Sequence, residues 1–150
     1  MAVRIESSPS IVETPVASAR TVVVLDRALP KGLAANAAAV LALTLGARRP
    51  ALVADDFEDA SGVTHLGLFP TGLPVLGADA SELPALREAA RERDLLVVDL
   101  PAAAQQTNDY DQFRAMVAGA PPGELAYLGM LISGPKKVVR AVTGQLPLLR

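Results

Sequence analysis

Short unbroken apolar runs alternate along this chain with longer stretches of helical spacing. Thr21-Val-Val-Val-Leu25 is apolar and β-branched, with charges only beyond its end, the pattern of a central strand buried on both faces. From Leu33 to Leu45 the chain is too long and too rich in Ala and Leu for a strand. Gly46, Arg48, Arg49 and Pro50 stop it as a helix. Residues 51–72 read as irregular, with an acidic run at Asp55–Asp59 and turn signals at Gly62, Gly67, Pro70 and Gly72. A short strand is expected at Leu73–Leu76. Ser81 then caps a helix from Glu82, whose apolar stripe is Leu83, Leu86 and Ala90.

Leu95–Leu100 reads as another buried strand, ended by Pro101, and Tyr110, Phe113, Met116 and Val117 recur at helical spacing between Asp109 and Ala118. Pro121-Pro122-Gly123 breaks that helix. Leu125–Ile132 forms the fourth strand, and Ser133-Gly134-Pro135 opens a last helix that stops at Gly144. This alternation predicts an α/β fold: a three-layer sandwich with a mixed sheet of about four strands flanked by helices. Residues 1–20 mix Ser, Pro, Thr and Glu without periodicity and are expected to be a flexible N-terminal extension, with the folded domain spanning 21–150.

Composition narrows the function. At 150 residues and 51% hydrophobic content the chain suits one domain. Only 3% of it is aromatic and its net charge is −2, so neither base stacking nor an extensive nucleic-acid surface is expected. With no cysteine and one histidine, sulfur-ligated metals, thiol chemistry and His-rich sites are excluded, and no cofactor or metal is expected. No apolar run reaches membrane-spanning length and no secretory leader is visible, so a cytoplasmic protein without membrane contact is expected. The alanine-rich apolar content is compatible with a homodimer.

Several residues could carry chemistry. Lys31, Lys136 and Lys137 are the chain's three lysines and each lies near the start of a helix, so two helix N-termini brought together would bind an anion. The alternative is ordinary surface lysine. Asp26 and Asp99 end apolar strands, where open α/β sheets place ligands, and Asp99 could orient a water beside Lys31. The alternative for both is a cap or an ion pair, for Asp26 with Arg27. Asn36, an amide in an otherwise apolar helix, either faces a ligand or satisfies buried backbone groups. Thr143 could add a hydroxyl to the site or be structural. The acidic run lacks calcium-loop spacing, the glycines make no nucleotide-binding fingerprint, and His65 is a lone imidazole in a Gly-rich loop.

The segment Val22-Val-Val-Leu-Asp-Arg-Ala-Leu-Pro-Lys-Gly-Leu-Ala-Ala-Asn36 resembles the signature of peptidyl-tRNA hydrolase II, a strand followed by Arg-x-Asp-Leu, a Gly-Lys turn and Ala-Ala-Gln in a helix. Leu128–Leu146 is similar to that family's closing strand, Gly-Pro, helix and Val-Thr-Gly-His-Leu. Over roughly residues 21–149 the chain looks most like a bacterial family of unknown function that shares this fold. Arg27, Leu29, Ala34 and Ala35 match the pattern, Asn36 replaces its Gln, and Ala39 and Gln145 stand where it has histidines; Lys31 and Gly32 are in reversed order. The resemblance implies a hydrolase-II-like fold and cleavage or transfer of an acyl ester on a peptidyl- or aminoacyl-tRNA. Lys31 would bind or polarise, Asn36 orient the substrate, Asp99 position water, and Arg27, Lys136, Lys137 and Thr143 hold a small anionic or acyl-ester ligand. The alternative is a non-catalytic module that kept an anion site and lost the chemistry. On the first reading Lys31, Asn36 and Asp99 converge on one cavity.

Overall fold

A computed structural model describes residues 14–121 and 123–150. The expectation for residues 1–13 and the break at Pro122 lie outside the described residues. In chain order the elements are β1 (Ala19–Asp26), α1 (Lys31–Arg48), β2 (Phe57–Glu58), β3 (Thr64–His65), β4 (Val75–Ala78), α2 (Leu83–Arg91), β5 (Leu96–Pro101), α3 (Tyr110–Ala118), β6 (Tyr127–Pro135) and α4 (Lys136–Thr143). Short 3-10 turns cover Val16–Ser18, Pro50–Leu52, Ala80–Glu82 and Ala102–Gln105.

The main sheet has the order β4-β1-β6-β5. β1 pairs parallel to β4, with Val23 opposite Val75, and antiparallel to β6, with Val23 opposite Leu131. β5 is antiparallel to β6, so β1, β4 and β5 share a direction and end at the same edge. Val22 to Leu25 are fully buried because β1 is covered on both faces, which is why its sequence is a continuous apolar run and not an alternation. One face carries Val23, Leu25, Leu131 and Val98 against Ala37, Leu41 and Leu45 of α1. The other carries Val22, Val24, Met130 and Ile132 against Leu83 and Leu86 of α2 and Val139 and Val142 of α4. This is the expected three-layer mixed α/β arrangement. Each fully buried Leu, Ile, Met or Val contributes about 1.5–3 kcal/mol.

The remaining edge of β4 is covered by the chain's own end. Gly77 N–H donates to Pro147 O at 2.9 Å and Leu149 N–H to Val75 O at 2.9 Å. Gly129 is a place where only glycine fits, since a Cβ there would lie 2.6 Å from Val24 O. Thr21 and Ser133 face each other across β1 and β6 and share a buried hydroxyl hydrogen bond of 2.8 Å.

Several boundaries and caps differ from the expected ones. β1 starts at Ala19, two residues before Thr21, and β6 runs on to Pro135 instead of stopping at Ile132. The 3-10 turn before α2 is capped by Asp79 and not Ser81: the Asp79 side chain and Glu82 form a reciprocal capping box. Inside the irregular stretch lies a small hairpin, Phe57 opposite His65 and Glu58 opposite Thr64. Its strands are two residues each, too short for any periodicity to show.

Candidate functional site

The carboxyl edge of the parallel strands is where ligands sit in open α/β sheets, and α1 divides that edge into two grooves. On one flank is a cleft of about 270 Å³ between α1 and the segment running from the end of β5 into α3. Leu33, Ala37, Val40, Leu100 and Leu128 give it apolar walls, and Phe113 and Tyr110 close one side with their rings 5.6 Å apart. These are two of the chain's five aromatic residues, so a small aromatic supply is concentrated on this cleft. Its polar lining is Asn36, Gln105, Thr107, Asn108 and Asp109. Asp109 is occupied as the N-cap of α3, accepting from Gln112 N–H at 3.0 Å, and Thr107 Oγ1 bonds Gln112 and Asp109 N–H. Among the described residues, nothing pairs with the carboxamides of Asn36, Gln105 or Asn108. Each carboxamide offers two donors and an acceptor.

Asn36 is therefore exposed, not buried as its apolar neighbours suggested. α1 is apolar around most of its circumference, so its sequence could not say which side faces the sheet. Asn36 makes none of the backbone contacts that a buried amide would need.

On the other flank of α1 a groove of about 320 Å³ is lined by Arg27, Lys31, Ala34, Ala38 and Leu149. It brings Arg27 and Lys31 together at the N-terminus of α1. Arg27 is ion-paired to Asp79 at 2.9 Å and lies 3.8 Å from Glu82. Asp26, expected to pair with Arg27 or cap a helix, instead accepts from Ala28 N–H at 2.9 Å in a tight turn.

The expected convergence of Lys31, Asn36 and Asp99 does not occur. Along β5 the side chains alternate: Val98 and Leu100 face α1, while Val97 packs on the α2–α4 side. Asp99 shares the latter side, where Arg87 Nε of α2 donates to its Oδ2 at 2.6 Å. The guanidinium also sits 5.7 Å from the Tyr127 ring centroid. The bond to Asp99 raises the Arg87 pKa further above its usual value, and burial pushes the Tyr127 phenol up against the opposing pull of Arg87. The sheet thus separates Asp99 from Lys31 and Asn36.

The expected meeting of lysine-bearing helix ends fails for a topological reason. Lys31 follows the C-terminal end of β1, whereas Lys136 and Lys137 follow Pro135, which pairs with Ala19 at the start of β1. The two helix N-termini lie at opposite edges of the sheet. Lys136 Nζ donates to Ala17 O at 3.1 Å. Thr143 is buried and its hydroxyl donates to Val139 O at 2.8 Å, one turn back in α4, away from either groove.

Sequence reasoning did not single out Gln105, Thr107 and Asn108. The available signal was a polar, aromatic-flanked connection immediately after a strand ending at the carboxyl edge. Among the described residues no group of three or more His, Cys, Asp or Glu side chains could hold a metal, and no helix is long and apolar enough to cross a membrane.

A family model described as a protein of unknown function, DUF2000, matches residues 19–150. The chain belongs to the DUF2000 family. Among solved structures, the protein of unknown function Atu0240 from Agrobacterium tumefaciens is similar, with a TM-score of 0.80 and 19% identity, covering 87% of this chain and 97% of that one. At that identity the likeness concerns the fold. No curated protein matches the chain. The family match begins at Ala19, the first residue of β1, so the matched region takes in the whole sheet and both grooves.

Proposed function

We propose that this DUF2000 domain binds a small uncharged ligand, an apolar group with an amide- or ester-like polar edge, in the cleft between α1 and α3. The observation that carries this reading is the combination of apolar walls with the unpartnered carboxamides of Asn36, Gln105 and Asn108. Pockets of this composition take ligands whose body is desolvated by apolar walls and whose orientation is set by a few hydrogen bonds. Carboxamides pair with carbonyl and N–H groups without the desolvation cost of a charge.

Adaptability of one wall also supports this reading. No residue of α3 is buried, so the helix is held by few apolar contacts and can adjust to an occupant. The acyl-ester chemistry implied by the likeness to peptidyl-tRNA hydrolase II has the terminal motifs in its favour. It lacks the meeting of Lys31 and Asn36 with Asp99, so ligand binding is the better-supported reading.

Titration of ¹⁵N-labelled protein with N-acetyl-phenylalanine methyl ester tests both. Amide shifts are expected at Asn36, Gln105, Asn108 and Phe113, with no release of methanol. Shifts confined to other surfaces would refute the cleft assignment, and turnover abolished by Asp99→Asn would restore the hydrolase reading.

A second reading, an anion site on the other flank of α1, has a specific observation in its favour: Arg27 and Lys31 line one groove beside a helix N-terminus. Titration with inorganic phosphate would then shift the Lys31, Gly32 and Leu33 amides, and Lys31→Ala would abolish the effect.

A further inference from the structure

Every residue from Val53 to Leu66 is exposed, yet the segment has fixed structure. Besides the β2–β3 pairing, the Asp59 carboxylate gathers the turn, accepting from Ser61 N–H at 2.8 Å and Val63 N–H at 3.2 Å and bonding His65 Nε2 at 3.1 Å. His65 stacks on Phe57 with ring centroids 5.3 Å apart, and Asp56 accepts from Gly67 N–H at 2.9 Å. This ordered arm holds Phe57, Val63, Leu66 and Leu68 in water, Leu66 at 78% exposure. Two-stranded hairpins are marginal alone, and clustered exposed apolar side chains mark contact surfaces.

Charge restricts what can cover the arm. It carries Asp55, Asp56, Glu58 and Asp59, and no lysine or arginine occurs between Pro50 and Leu86. A complementary surface is apolar, free of carboxylates and cationic at its margins. The same chain presents one. The outward crest of α1 is formed by Gly32, Ala35, Ala39 and Leu43, with Leu43 76% exposed. From Gly32 to Ala47 no side chain is charged, while Lys31 and Arg48 stand at the two ends. A helix facing only water normally places charged residues on that side.

We propose that the β2–β3 arm docks along the α1 crest of a second copy of this chain, reciprocally about a two-fold axis. The apolar arm residues then cover Leu43 and its small neighbours, and the arm carboxylates approach the partner's cationic helix ends. Reciprocity doubles the buried surface, as closed two-fold assemblies do. Because Asn36 lies beside the crest, the partner's arm also borders the mouth of the α1–α3 cleft.

Sedimentation velocity on the full chain over a concentration series tests this, with far-UV circular dichroism as the folding control. A dimer of twice 15.5 kDa is expected. Leu43→Glu on the crest and Leu66→Glu on the arm should each weaken it by roughly tenfold or more, without loss of fold. Mixing the two variants should regain part of the dimer, because one of the two reciprocal contacts then joins an intact arm to an intact helix. A monomer at all concentrations, a dimer untouched by both substitutions, or a mixture that regains nothing would each overturn the proposal.

Discussion

Replacing Asp99 by Asn keeps the shape of the side chain and removes its charge, which separates a structural role from a chemical one. The Arg87–Asp99 contact is 2.6 Å long and its side chains are 29% and 26% exposed. It is thus more shielded than a surface pair, for which about 0–1 kcal/mol would be expected. A hydrogen bond between charged groups in such a setting contributes about 1.5–3 kcal/mol. Arg87 keeps its contact with Glu88 at 2.9 Å but loses the charged acceptor that helps to hold it over Tyr127. For a domain of this size, at 2–4 °C per kcal/mol, the melting temperature should fall by roughly 3–12 °C. Urea unfolding should show the midpoint falling with an unchanged slope. A double-mutant cycle with Arg87→Met should return a coupling of about 1–3 kcal/mol, since the two groups touch directly. Ligand binding in the α1–α3 cleft should not change. A stability loss under about 0.5 kcal/mol together with zero coupling would mean that Asp99 does not depend on Arg87.

Other consequences concern the arm, α3 and α4. The hydrogen bonds from Ser61, His65 and Val63 hold the Asp59 carboxylate well below the usual carboxylate range. A depressed folded-state pKa gives stabilisation that is complete above the unfolded value of about 3.9 and lost as pH falls below it. The protection of the Ser61 and Val63 amides, measured as exchange relative to the intrinsic rate at each pH, should fall in acid, and the Asp59→Asn variant should not show that dependence. Gly67→Ala puts a Cβ 1.7 Å from Ala54 O, so NMR should show the arm resonances collapsing while those of β1 and β6 keep their positions. Thr143→Val removes a hydroxyl whose acceptor stays within a helix; thermal unfolding should shift by less than the equivalent of about 1 kcal/mol, with ligand binding intact. Hydrogen exchange should be faster in α3, which has no buried residue, than in β6, whose residues from Tyr127 to Gly134 are all buried.

β1 is legible because it is central and covered on both faces, so Val22–Leu25 stands out as an apolar run without any knowledge of its neighbours; Leu95–Leu100 gives the same signal although β5 is an edge strand whose residues are mostly half-buried. The boundaries of α1 were less so: Lys31 and Gly32 continue its first turn although they read as a turn motif. The site was harder. Period-two alternation does place Asp99 opposite Val98 and Leu100, but parity alone does not say which face meets α1 and which meets α2. The sequence leaves Asn36 between facing a ligand and satisfying buried backbone groups, because a helix apolar on most sides gives no signal of its exposed one. Lys136 and Lys137 share a residue type and a helix start with Lys31, yet β6 runs antiparallel to β1 and carries them to the far edge. The arm was hidden because its order rests on Asp59 and Asp56 accepting backbone N–H groups, a local arrangement that hydrophobic periodicity cannot report.

If the carboxamide-lined cleft beside Asn36 is the ligand site, removing that carboxamide must weaken binding there. The most direct measurement is the amide-shift titration with N-acetyl-phenylalanine methyl ester run in parallel on wild type and Asn36→Leu. Losing one neutral hydrogen bond at about 1 ± 0.5 kcal/mol should weaken binding by roughly two- to tenfold while the shifts at Gln105, Asn108 and Phe113 stay in place. Equal affinity in the two proteins, with shifts that bypass the cleft, would mean that the ligand binds elsewhere.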